Sequence, residues 1–153
     1  MNIPDYILNG EYTTPIVAKV LDVPLRKVIS MLERGYIHAS IQEADGHGSK
    51  RLFSFEDVVR AFIIHRLESF GLSVVKLRFV SSILANPDQL ALPFLLFDNH
   101  ESWCPVGDTR EASEAHIMGF LQYPTFSDDP SPALWIPIDQ MREFVVFRIS
   151  EMG

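Results

Sequence analysis

The chain has 153 residues, of which 47% are apolar, 11% aromatic and 22% charged, a composition that excludes a disordered chain and suffices for one domain of ordinary size or two small ones. No uninterrupted apolar run approaches the roughly 18 residues that cross a bilayer, and the first residues lack a basic flank followed by an apolar stretch, so the expectation is a cytoplasmic protein with no membrane partner. The formal net charge of −7 argues against nucleic acid when taken as an average, and the single cysteine, Cys104, excludes an internal disulfide.

Along the chain, Thr14 followed by Pro15 predicts a helix N-cap with proline at the first helical position, and Ile16, Val17, Val20 and Leu21 give that helix an apolar face. A second helix, from Pro24, is expected to turn Leu25, Val28, Ile29 and Leu32 inward and Arg26, Lys27, Ser30 and Arg34 outward, ending at Gly35. Residues 36–53 alternate apolar and polar at their ends and carry Asp45-Gly46-His47-Gly48 in the middle, which reads as a hairpin. Ser54 with Asp57 three residues later is close to a capping box and opens a helix that ends at Gly71; Ser73 caps another, running to about Leu84. Tyr36, Phe53, Phe55, Phe62, Leu67 and Phe70 are read as core, and His65 as a histidine near the apolar stripe rather than a ligand.

Asn86-Pro87-Asp88 is a turn signal, and the charge balance changes there. From Glu11 to Ala85 ten basic residues face eight acidic ones, a net of +2; from Asn86 onward three face eleven, a net of −8. The division predicted is residues 1–86 and 87–153. In the second part Leu90–Phe97 reads as a buried strand starting after Pro93, Ser102–Val106 as a returning strand whose Pro105 suggests an edge, and Ala133–Ile138 as a third. Asp108 opens one helix, through Phe120, and Asp139 caps the last, which carries Met141, Phe144, Val145, Arg148 and Ile149. The order ββαβα implies a small acidic α+β domain with a three-stranded sheet and two helices, and a sheet that two short helices leave partly uncovered points to dimerisation or partner binding. A strand over Phe144–Ile149 is the main competitor, since Phe-Val-Val-Phe is β-prone.

Chemistry is sparse. His100 and Cys104 lack a second pair to complete a tetrahedral metal site, Gly46-His47-Gly48 lacks the rest of a phosphate loop, and Asp98, Glu101, Asp108, Glu111 and Glu114 read as a solvated face. Cys104 reads as an inert thiol. The expectation is no enzyme, no cofactor and no metal.

The first part resembles the MerR family of winged helix-turn-helix DNA-binding regulators. The matching residues are Tyr12-Thr13-Thr14 ahead of Val17–Leu21 and Val23, then Arg26, Glu33-Arg34-Gly35-Tyr36-Ile37, Arg51-Leu52-Phe53-Ser54-Phe55-Glu56-Asp57-Val58 and Phe70-Gly71-Leu72-Ser73, together covering residues 11–85. Pro24 and Ile29-Ser30-Met31 depart from the family's pattern, which has Ser or Thr and an Arg-Tyr-Tyr run there. The resemblance implies a bacterial or phage transcription regulator that binds duplex DNA as a homodimer. From the residues themselves, Arg26, Lys27 and Ser30 are placed to read or orient in a major groove, and Thr13, Thr14, Lys50 and Arg51 to hold phosphates. The alternative is a protein–protein adaptor that no longer binds DNA, in which the same charges are a solvated face.

Overall fold

A computed structural model describes residues 2–46, 49–91, 95–97, 103–105 and 134–153. The elements are α1 (Asp5–Leu8), β1 (Tyr12–Thr13), α2 (Thr14–Leu21), α3 (Leu25–Glu33), β2 (Leu52–Phe53), α4 (Phe55–Ser69), α5 (Val74–Leu84), α6 (Pro87–Leu90), β3 (Leu95–Phe97), β4 (Trp103–Pro105), β5 (Leu134–Ile136) and α7 (Ile138–Ser150). The fold is mixed: helices accompanied by two small antiparallel sheets.

The centre is α4. Its sequence is apolar on almost every side, the signature of a helix surrounded by protein, and Phe55, Val58, Val59, Ala61, Phe62, Ile63, Ile64 and Leu67 are all buried. Helices α2, α5 and α7 pack around it. The start of α4 is fixed by a reciprocal capping box: the Ser54 hydroxyl accepts from the Asp57 N–H at 3.2 Å, and the Asp57 carboxylate accepts from the Ser54 N–H at 3.0 Å. The same carboxylate, 1% exposed, accepts from the Ser40 N–H at 2.8 Å and the Ser40 hydroxyl at 2.5 Å. Arg60 reaches its other oxygen at 3.6 Å.

Helices α2 and α3 are joined by a tight turn. Asp22 adopts a left-handed conformation (φ 57°) and the Val23 N–H donates back to the Ala18 carbonyl at 3.0 Å, which closes α2 and reverses the chain. The N-cap of α2 is Thr13, one residue before the expected Thr14, because Thr13 is still extended as the last residue of β1. Pro24 caps α3 from outside the helix. The inward face of α3 differs from the expected one: Val28 and Met31 are buried, while Leu25 and Ile29 are 44% and 37% exposed. Apolar residues at 25, 28, 29, 31 and 32 span more than one stripe, and packing against α2 selects the one that contains Met31. Gly35, at φ 72°, ends the helix as expected.

Among the described residues the hairpin expected over 36–53 is reduced to one bridge, Gln42 to Leu52, and the strand β2 pairs instead with β1, in the register Tyr12↔Phe53 and Thr13↔Leu52. Tyr36, Ile37 and Ala39 are buried rather than alternating, and the Ser81 hydroxyl donates to the Tyr36 carbonyl at 2.5 Å, tying this segment to α5. Phe70 is also corrected: it is 78% exposed. It is the C-cap of α4, and Gly71 (φ 87°) turns the chain there, so the helical spacing that reads Phe70 inward no longer applies.

Leu90 ends the short helix α6 instead of starting a strand, and is buried in the same core as α4. The most apolar strand, β3, is central in the order β4-β3-β5, which leaves Pro105 on an edge strand. Residues 138–150 are helical, so the strand alternative for Phe144–Ile149 is set aside; Pro137 is the N-cap and Asp139 lies in the first turn. Helix α7 packs on α4 and α2, with Phe144 stacked on Phe62 at 5.2 Å and Arg142 paired to Glu56 at 2.8 Å. The hydrophobic core therefore continues past Asn86 and includes Ile136, Ile138, Val145 and Val146. The helix expected from Asp108, together with His47, Gly48, His100, Asp98, Glu101, Glu111 and Glu114, lies outside the described residues.

Tyr12 is 6% exposed and its hydroxyl donates to the Ile7 carbonyl at 2.6 Å. Burial, helped by Tyr6 and Glu56, pushes its pKa from 10.0 up to about 12. The folded state thus keeps a proton that the unfolded chain releases first, so stability is complete below pH 10 and declines as pH rises from 10 towards 12. Tyr12→Phe should lower stability at neutral pH by about 1 kcal/mol, by removing the hydroxyl's hydrogen bond to the Ile7 carbonyl, which keeps the Gly10 N–H at 3.2 Å, and should flatten the alkaline decline. Urea titrations at neutral and alkaline pH measure both; an unchanged alkaline slope in the variant would refute the assignment.

Candidate nucleic-acid interface

Four of the seven residues expected at a nucleic-acid site come together at the start of α2. The register Thr13↔Leu52 sets the residues before β2 beside the N-terminus of that helix. The result is an open cleft of about 310 Å³ lined by Thr13, Thr14, Pro15, Ser49, Lys50 and Arg51. Thr13 makes no side-chain cap bond to α2, so among the described residues the first-turn N–H groups of Thr14 and Ile16 have no side-chain acceptor, and Pro15 has no N–H to offer. Uncapped N–H groups at the positive end of a helix, next to Lys50 and Arg51, suit an anion.

The other three residues lie on α3 and behave differently. Arg26 is exposed and makes no ion pair among the described residues. Lys27 is half-buried and its ammonium sits 2.7 Å from Glu68 of α4. Glu68 also lies 3.8 Å from Arg34, so this carboxylate gathers two cations of α3 onto the side facing α4. Ser30 is half-buried as well. Arg51, though part of the cleft, also meets Glu43 at 3.4 Å, and Glu43 is held by accepting from the Ala39 N–H at 3.2 Å. Of these three ion pairs the Arg51–Glu43 pair is the one solvated on both sides, and such a pair exchanges for phosphate at small cost.

A second, smaller cleft of about 150 Å³ lies between α3 and the 36–51 segment, lined by Ile29, Leu32, Glu33, Ile37, His38, Glu43 and Arg51. Ile29 of this cleft and Leu25, one turn earlier on α3, are exposed and escape a reading of the sequence because they fit the helical apolar spacing. Glu43 and Glu68 escape it because pairing across tens of residues leaves no local signal. His65 is half-buried, and burial lowers its pKa, outweighing the pull of Glu68 in the other direction while Lys27 and Arg66 act with the burial; at neutral pH it adds no positive charge to the site.

Among the described residues no cluster of three or more His, Cys, Asp and Glu side chains is arranged to hold a metal ion. No described helix is long and apolar enough to cross a membrane. Cys104 pairs through its backbone with Leu96. No protein-family model and no curated protein sequence matches the chain.

Proposed function

We propose that the chain is a MerR-like winged helix-turn-helix protein that binds double-stranded DNA and regulates transcription as a homodimer. In this reading α2 and α3 are the helix-turn-helix, the segment before β2 is the wing, and the acidic second part, which contributes the β3–β5 sheet and α7, serves dimerisation or a protein partner. The observation that carries it is the cleft at the uncapped start of α2, where Thr13, Thr14, Lys50 and Arg51 stand together beside a helix that exposes Arg26. A phosphate in the cleft fixes the register, and α3 then meets base edges. The net charge of −8 over residues 86–153 keeps the remainder of the chain off the duplex.

Fluorescence polarisation with a pool of genomic duplex fragments tests the reading. Binding is expected at about 50 mM salt, with a log K against log salt slope of roughly −4 to −5 for five phosphate contacts. No binding at that salt overturns it. The adaptor reading is favoured by one observation, the exposed apolar residues Phe144 (40%) and Phe147 (56%) on α7; it predicts a stable protein complex and no salt-dependent DNA binding.

A further inference from the structure

We infer that Leu25 and Ile29 determine sequence specificity by meeting thymine 5-methyl groups in the major groove; this rests on the DNA-binding reading. The packing demand of α3 is met by Val28 and Met31, which are buried, so nothing in the core requires the next stripe to be aliphatic. Yet Leu25 and Ile29, 44% and 37% exposed, stand four residues apart on one face of α3 and flank the exposed Arg26. Glu68 draws Lys27 and Arg34 to the other side. What α3 offers outward is therefore two branched aliphatic side chains and one guanidinium, followed a turn later by the exposed Glu33.

Major-groove chemistry gives each a partner. Thymine alone presents a methyl group there, guanine presents the O6 and N7 acceptors that a guanidinium bridges, and cytosine an amino group that a carboxylate accepts from. Residues 25–33 contain no Asn or Gln, the side chains that read adenine directly, so an A·T pair is recognised from its thymine side. Ile29 shares its cleft with Arg51, which places the methyl contact next to a phosphate anchor. The target class is a duplex with thymines beside a guanine.

The test begins with selection from a random duplex pool by the full chain. The enriched duplex is then compared with a copy in which uracil, lacking the 5-methyl, replaces thymine. Each methyl that loses its contact should weaken binding about three- to fivefold. Ile29→Ala and Leu25→Ala, both at partly solvated positions, should each bind the two forms with a smaller difference and keep the preference for guanine. Equal affinity of the unaltered protein for both forms overturns the inference and leaves the DNA-binding reading standing. So does a thymine preference that survives both substitutions. Enrichment of no duplex overturns the reading and the inference together.

Discussion

Asp57→Ala should destabilise the protein by about 4 kcal/mol, a large share of the 5–15 kcal/mol typical of a domain. Three donors converge on this carboxylate: the Ser40 N–H at 2.8 Å, the Ser40 hydroxyl at 2.5 Å and the Ser54 N–H at 3.0 Å. Hydrogen bonds to a buried charge contribute about 1.5–3 kcal/mol each when removed singly, but they share one acceptor and do not add. Loss of the capping box alone costs about 1 kcal/mol. Arg60 adds a further penalty: it is 9% exposed, burial already lowers its pKa, and Asp57 is the first group that opposes that shift. Without the carboxylate a guanidinium is left buried and short of a partner. For a chain of this size the midpoint temperature should fall by about 10 °C. Asp57→Asn keeps an acceptor oxygen and should recover part of the loss, and Ser40→Ala should cost about 1 kcal/mol. Urea denaturation decides: a loss below about 1 kcal/mol in Asp57→Ala would show that the network is not what holds residues 36–51 to α4.

The parts of the fold that were legible in the sequence are those written in local signals. Ser54 and Asp57 announce the start of α4, Gly35 and Gly71 the ends of α3 and α4, and Ser73 the start of α5, because caps and left-handed residues act within a few positions. The pairings that needed distance were not. Alternation in Tyr36–Ile41 suggests a long hairpin, but the partner of Leu52–Phe53 is Tyr12–Thr13, some forty residues earlier, and among the described residues of the segment Gln42 alone bridges to Leu52. Leu25 and Ile29 misled because a periodic pattern names a set of faces and the neighbour chooses among them. At the candidate site the same divide holds. Thr13, Thr14, Lys50 and Arg51 are visible as residue types and are brought together by the β1–β2 register, whereas the diversion of Lys27 depends on Glu68, some forty residues later on α4.

Arg26→Ala combined with Arg51→Ala should abolish most specific binding, and the two substitutions should act through different terms. Arg26 is exposed on the outward face of α3, where a guanidinium bridging a guanine contributes about 1–3 kcal/mol of discrimination. Arg26→Ala should therefore weaken an enriched duplex about tenfold to a hundredfold and leave binding to random duplex nearly unchanged. Arg51 lines the phosphate cleft, so Arg51→Ala should weaken every duplex alike and make the salt slope shallower by about 1. Its contribution is reduced by Glu43, 3.4 Å away, since that ion pair must be exchanged for the phosphate. An exposed pair is worth about 0–1 kcal/mol, so Glu43→Gln should tighten binding up to about fivefold without altering the sequence preference. Because Glu43 also accepts from the Ala39 N–H, the glutamine, which keeps an acceptor oxygen, is the informative replacement. Polarisation titrations at several salt concentrations separate these effects: a double variant that binds with the affinity and slope of the unaltered protein would remove both residues from the interface, and a Glu43→Gln variant that binds more weakly would mean that Glu43 positions Arg51 instead of competing for it.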